Sequence, residues 1–319
     1  MTKGKGGRTR SKRSEQIAQV IFLITSLVSL AAVACICVFI FRGAWPAIRE
    51  VGLWNFLSGT AWKPNNDPQK FGIFYMIVGS LYVSGGALIL GVPVGLMAAI
   101  FMARFCPKRI YPLLSQCVKL LAGIPSIIYG FFGMMLIVPF IAEHCPGNGN
   151  SVLAASVVLA LMILPTIITL SENALRSLPA SYYEGALALG ATHEEAVFHV
   201  LTPAARRGIV TSIVLGMGRA IGETIAVGMV AGNSNILPTS IFKSVRTLTV
   251  NIVSEMGYAE GLHYDALIAT GAVLFVFIML LNVALGLLTR EKKDKSESTN
   301  KPGAADKRPQ KALQGGVAK

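Results

Sequence analysis

Long apolar runs separated by short polar segments set the plan of the chain. Residues 17–41 form the first. An α-helix rises 1.5 Å per residue, so about 20 apolar residues cross a hydrocarbon core about 30 Å thick. Further runs occupy 71–103, 113–141, 152–170, 208–232 and 266–288. Together they predict an all-α, polytopic membrane protein with about six transmembrane helices. The run at 17–41 is too long for the core of a signal peptide and has no small-x-small cleavage site before Arg42, so it reads as a retained span. The second run carries Gly85-Gly86 and Gly91-Val-Pro-Val-Gly95, small residues that let helices approach, and Pro93 is expected to kink it. In the third run Gly123 and Pro125, followed by Ser126, predict a broken helix, which is tolerated at membrane depth only where it faces protein or a cavity.

The polar segments take their sides from charge. Residues 42–70 hold all three tryptophans, Trp45, Trp54 and Trp62, as an outer-interface belt does, and Pro64-Asn-Asn-Asp-Pro68 is a turn-rich tip. The turn 104–109 is basic, whereas 143–150 has no Lys or Arg and reads as external. A loop between the last two runs, containing Asn251 and Glu255, is external as well.

One polar stretch stands apart. Residues 179–203 lie between apolar runs, yet neither half is long enough to span a bilayer; they predict a helix, a turn and a helix. Ser181 with Glu184, and Thr192 with Glu195, have capping-box spacing. Gly190 between them fits a positive-φ helix end, and Pro203 is expected to stop the second helix.

Composition agrees with the pattern: 319 residues, 53% hydrophobic, 14% charged, mean hydropathy +0.59. The net charge of +13 is concentrated before the first run (Lys3 to Arg13) and after the last (Arg290 onward), with Arg104, Lys108, Arg109, Arg176, Arg206 and Arg207 on the same side. By the positive-inside rule both termini are cytoplasmic; the arms lack the interleaved aromatics of a nucleic-acid-binding tail. The expected organisation is a basic tail at 1–16, a first transmembrane helix at 17–41, an external segment at 42–70, a permease core at 71–289 and a disordered basic tail at 290–319.

Candidate chemistry is sparse. The five cysteines have no metal or redox spacing, and His193 and His199 lack a third ligand. Gly216-Met-Gly-Arg-Ala-Ile-Gly222 has its third glycine one residue late for a dinucleotide motif and no strand before it. No Gly-x4-Gly-Lys-Ser/Thr loop occurs, so any ATP is bound by another chain. No cofactor or metal is expected. Arg219 and Glu223 are four apart, which on one helix places them on one face, and Arg219 falls near the middle of the fifth run. A lone arginine there costs roughly 2.5–3.5 kcal/mol on insertion scales, so it should face the bundle interior or a wet cavity.

The stretch 179–203 resembles the coupling segment of ABC-importer permeases. Glu184, Ala186, Gly190 and Pro203 match at the family's spacing; Gly185 stands for an alanine, Val200 for isoleucine and Thr202 for leucine. Leu121-Ala-Gly-Ile-Pro-Ser-Ile-Ile-Tyr-Gly130, 184–192 and Gly218-Arg-Ala-Ile-Gly-Glu-Thr-Ile-Ala-Val227 are together similar to permeases of Pst-type phosphate importers, and Phe56-Leu with Ala61-Trp-Lys-Pro64 and Phe71-Gly72 resembles the PstC-type rather than the PstA-type subunit. The resemblance implies a type I importer fold in a bacterial cytoplasmic membrane. It implies a PstA-like second permease, two PstB-like ATPases docking on 179–203, and an extracytoplasmic phosphate-binding protein. It also implies that Arg219 and Glu223 are linked to phosphate passage and that no covalent chemistry occurs on this chain. A related oxyanion is the alternative cargo. An ion-driven secondary transporter would lack the cytoplasmic helical knob, and an intramembrane enzyme would need a nucleophile–base pair or metal triad within the spans.

Overall fold

The computed structural model describes residues 7–290, and side chains over 15–284 and at Gly286. Helix α1 (Gly7–Val51) runs without interruption through Pro46. It begins ten residues before the predicted span and ends ten after it, so 42–51 is helix rather than loop. Gly52, at φ +83°, ends it. The first half of α1 exposes its apolar side chains, as a helix facing lipid does. Its end packs on the last helix, where Phe41 meets Phe275 edge-on at 6.1 Å. The short α2 (Leu53–Ser58) and a two-residue hairpin, β1 (Trp62–Lys63) against β2 (Lys70–Phe71), complete the N-terminal segment.

The centre is α3 (Phe74–Ile100) laid along α7 (Val152–Arg176). Apolar side chains gain little from leaving lipid for protein, so close packing must hold such a pair together. A Cβ on Gly86 would collide with Ser156, one on Gly91 would come within 3.0 Å of Ile163, and one on Gly95 within 2.9 Å of Ile167. Three missing side chains therefore set the separation of the helices. Ser156 Oγ donates across it to the Val83 carbonyl at 3.2 Å. Ser151 starts α7 as an N-cap, accepting the Ala154 N–H.

Between these helices the chain breaks where the sequence predicts. After a π-helical turn (Phe101–Phe105) come α4 (Tyr111–Gly123), extended Ile124 and Pro125, and α5 (Ser126–Phe132), which continues through a second π turn (Gly133–Ile137) into α6 (Val138–His144). The predicted second membrane-crossing limit at Ala103 thus falls inside a π turn.

Beyond α7 lie α8 (Ala180–Ala188), α9 (His193–Glu195), a π segment (Ala196–Leu201) and α10 (Thr202–Ala204). Next come α11 (Arg206–Gly222), α12 (Ile225–Val230), α13 (Leu248–Glu255) and α14 (Leu262–Arg290). Five helices among the described residues are long and apolar enough to cross a membrane. The predicted fifth span, 208–232, is not one helix. It ends at Gly222, and Glu223 is extended with ψ 133°. One tertiary and one local bond hold this break: Thr249 Oγ1 donates to the Glu223 carbonyl at 3.0 Å, and the Glu223 carboxylate accepts the Ala226 N–H at 3.3 Å. The basic tail predicted at 1–16 overlaps α1 from residue 7; most of the tail at 290–319 lies outside the described residues.

Candidate coupling segment and translocation site

The stretch 179–203 folds as a helical knob. Of its two predicted capping boxes, one forms. Thr192 Oγ1 accepts the Glu195 N–H at 3.2 Å, and the Glu195 carboxylate accepts the Thr192 N–H at 2.9 Å. These bonds hold the Glu195 carboxyl below its usual pKa. The other box does not form, because Pro179 (φ −55°, ψ 140°) leads directly into helix at Ala180 and Ser181 already lies in the first turn. Glu184 is consequently exposed and caps nothing, which leaves its carboxylate at the surface of the knob.

Gly190 takes φ +88°, and a Cβ there would meet nothing within 4 Å. Its requirement is purely one of backbone conformation. Gly185 is exposed and Ala186 buried. Pro203 does not stop the second helix as predicted. The π turn before it widens the ladder, Thr202 Oγ1 satisfies the Val197 carbonyl at 2.9 Å, and the path continues through α10 into α11. The knob is braced from within: the Tyr183 hydroxyl and His193 Nδ1 are 2.8 Å apart, and the Phe105 ring meets His193 edge-on at 4.8 Å. From the sequence His193 is only a histidine without further metal ligands; a Tyr at a spacing of ten residues across a glycine turn is the signal that could have found this brace.

The second candidate region is where the two broken helices meet. Segment α5, after the first break, packs on α12, after the second: a Cβ at Gly130 would lie 2.7 Å from Met229 Sδ and 2.9 Å from Ala226 Cα. The Tyr129 hydroxyl donates to the Leu121 carbonyl at 2.9 Å and so ties the two sides of the first break. Arg219, in the last turn of α11, lies within electrostatic reach of that hydroxyl. Gly123 and Pro125 are exposed and Ser126 opens α5.

The expected Arg219–Glu223 pair is absent among the described residues. Helical spacing was its basis, and the helix ends between the two. Glu223 is committed to the break through Ala226 and Thr249, while Arg219 is exposed with no carboxylate partner among the described residues. A cleft of about 260 Å³ beside the first break is lined by apolar side chains such as Leu121, Ile124 and Phe132, so it offers an anion nothing. A cleft of about 780 Å³ lies outside both regions, beside the hairpin near Glu50, Asn55, Asp67 and Lys70.

A third constellation was not foreseen. Trp62 is 7% exposed, against 63% for Trp45 and 78% for Trp54, so it does not belong to the predicted belt. Its indole N–H donates to Glu255 Oε2 at 2.8 Å. Arg246 Nη1 donates to Glu255 Oε1 at 2.6 Å and to Asn251 Oδ1 at 2.9 Å, and His263 Nε2 lies 2.9 Å from Glu255 Oε2. Burial works against ionisation of Glu255, but the bonds from Trp62, His263 and Arg246, with the Arg246 charge, outweigh it and hold the carboxyl below the ordinary glutamate value.

Long apolar helices, two broken helices meeting in the core and a separate exposed knob are the arrangement of the type I ABC importer permease fold. Its backbone is similar to that of the MetNI methionine ABC transporter in an inward-facing conformation (TM-score 0.54, 23% identity, covering 66% of this chain and 92% of that one). It is also similar to a bacterial ABC transporter involved in import of the acidic polysaccharide alginate (TM-score 0.58, 15% identity, covering 88% and 100%). Among relatives by sequence, a probable ABC transporter permease protein, YqgH of Bacillus subtilis, is 36% identical over 292 residues (89% of this chain, 94% of that protein). The phosphate transport system permease protein PstC of Haemophilus influenzae is 33% identical over 293 residues (85% and 92%), and PstC 1 of Mycobacterium tuberculosis is 36% identical over 280 (76% and 82%). The family profile described as "Binding-protein-dependent transport system inner membrane component" matches residues 91–293, and the chain belongs to that family.

Proposed function

We propose that this chain is the PstC-type permease subunit of an ATP-driven phosphate importer. It pairs with a PstA-like permease, docks two PstB-like ATPases on 179–203 and receives phosphate from an extracytoplasmic binding protein, with both termini in the cytoplasm. Phosphate passes beside the two helix breaks. The observation that carries this reading is the exposed Arg219 at the end of α11, within electrostatic reach of Tyr129 on α5, in a chain similar to phosphate permeases over most of its length.

A guanidinium donates two parallel hydrogen bonds to phosphate oxygens, which an ammonium cannot copy. At the end of α11 it also sits where the helix dipole favours a cation, which helps to hold it in place between turnovers. Glu223, which as a carboxylate repels an anion, acts by holding the break open through Ala226 and Thr249 rather than by pairing with Arg219. The segment Gly123-Ile-Pro-Ser126 forms the facing wall.

Uptake of labelled phosphate into vesicles holding the full complex, with and without ATP, tests the reading. Arg219→Lys should assemble normally and transport poorly, and Glu223→Gln should alter uptake more than assembly. Full uptake by an assembled Arg219→Gln complex would move the pathway elsewhere; arsenate or phosphonate outcompeting phosphate would reassign the cargo. A reporter fused after Asn150 should read external and one after Ala188 cytoplasmic.

A further inference from the structure

Helix α4 buries none of its side chains, although it joins the cytoplasmic turn to the first helix break. A helix without core packing is positioned by what holds its ends. At its far end the Tyr129–Leu121 bond closes across the break. At its near end the α3–α4 turn is clamped to the end of α7 by two arginines that cross over. Arg104 Nη2, in the π turn, donates to the Leu175 carbonyl at 2.7 Å. Arg176 Nη2, on α7, donates back to the Met102 carbonyl at 2.9 Å. Both carbonyls lie at helix ends, where ladder partners run out and the dipole favours a cation.

Arg176 does three things at once. Its Nε bonds the buried Glu172 carboxylate at 2.7 Å, and its guanidinium plane lies 4.3 Å from the centroid of the Tyr111 ring, the first residue of α4. The same turn touches the knob. Phe105, the last residue of the π turn, packs against His193 and, at 6.2 Å between ring centroids, against Phe198. Ile100, Leu175, Val197, Leu201 and Ile209 form one buried cluster that joins turn, α7 and knob. A displacement of the knob therefore reaches the turn through Phe105, and the turn reaches α4 through the backbone at 106–110 and through Arg176 stacked on Tyr111.

We propose that the crossed-arginine clamp is the transmission element of this permease: it converts movement of 179–203 into movement of α4 and hence of the break at Ile124–Pro125, with Arg176 and Tyr111 as positioning residues for ATP-coupled transport. The inference rests on the proposed docking of the ATPases at 179–203. Arg104 anchors the turn to α7, and Glu172 fixes the orientation of Arg176 so that stacking on Tyr111 and bonding to Met102 occur together.

The test uses the complete complex in liposomes, measuring phosphate uptake and ATP hydrolysis on the same preparation. Arg176→Lys keeps the charge but cannot stack, pair and reach the Met102 carbonyl together. It is expected to keep hydrolysis within about twofold of the unaltered complex while uptake per ATP falls about tenfold or more. Tyr111→Ala, which removes the stacking surface at an element that buries nothing, should uncouple similarly, and Tyr111→Phe, which keeps the ring, should restore coupling. Unchanged uptake per ATP in Arg176→Lys and Tyr111→Ala, or a parallel loss of uptake and hydrolysis in both, would overturn the proposal. If the unaltered complex showed no ATP-dependent uptake, the docking reading itself would fail, which is a different result from normal coupling in the variants of a working complex.

Discussion

The knob at 179–203 and the cluster around Glu255 are both small polar constellations beside apolar helices, but they are held by opposite means. The knob's bonds are local: Thr192 to Glu195 spans three residues and Tyr183 to His193 ten. Its outer face, Glu184 included, is exposed. The other cluster joins Trp62 to Glu255 across 193 residues, and its carboxylate is buried with an arginine, a histidine and an indole around it. A part that must engage and release a partner is best made of locally stable turns with free surface. A part that fixes the N-terminal hairpin to α13 and α14 is best made of groups that cannot leave without exposing an unpaired charge.

The difference can be broken most severely at Glu255. Glu255→Ala leaves Arg246 buried without its carboxylate and should cost about 3–5 kcal/mol, read as a lower thermal unfolding midpoint in detergent. The carboxyl's pKa is depressed in the folded protein, so its contribution to stability is present above about the ordinary glutamate value of 4.5 and is lost as pH falls below it. The unfolding midpoint should therefore drop on acidification below that value, and Glu255→Gln should flatten the drop. Trp62→Phe keeps the ring among Phe71 and His263 but removes a hydrogen bond to a charged acceptor, an expected loss of about 1.5–3 kcal/mol in the same measurement.

At the knob the readouts should separate. Gly190→Val forces a β-branched residue into φ +88°, a strain of about 1–3 kcal/mol confined to the turn. Phosphate uptake should fall while the unfolding midpoint of the membrane part stays. The smallest effect on stability, within about 0.5 kcal/mol, is expected for Glu184→Gln, since the side chain is exposed and caps nothing. Pull-down of the ATPase subunit should nevertheless weaken. Unaltered binding there would make Glu184 a bystander.

How much of this was legible in the sequence follows from range. Apolar runs give spans directly, because water and lipid act on each residue separately. Capping spacing at Thr192 and Glu195, the positive-φ glycine at 190 and the break at Gly123 and Pro125 are likewise local backbone chemistry, and the knob was readable for that reason. Ser181 failed as a cap because helix start depends on which residue first turns helical, and Pro179 brought that forward. Pro203 failed as a stop because it falls in the first turn of α10, just after a π turn, where its missing N–H costs little.

What tertiary structure alone decided is where long-range partners compete with local geometry. Nothing in the sequence around Arg219 and Glu223 forbids one helix through both. The hydroxyl of Thr249, 26 residues on, takes the Glu223 carbonyl, the carboxylate turns to Ala226, and the pair dissolves into an anchored break and an exposed cation. Trp62 likewise looked like an interface residue until Glu255 was brought beside it. Composition, spans, charge bias and the knob were set by properties that each residue or short segment carries alone. The meeting of two broken helices, the crossed arginines and the buried Glu255 were set by which distant donors and acceptors the packing of α3 on α7 brought within bonding distance.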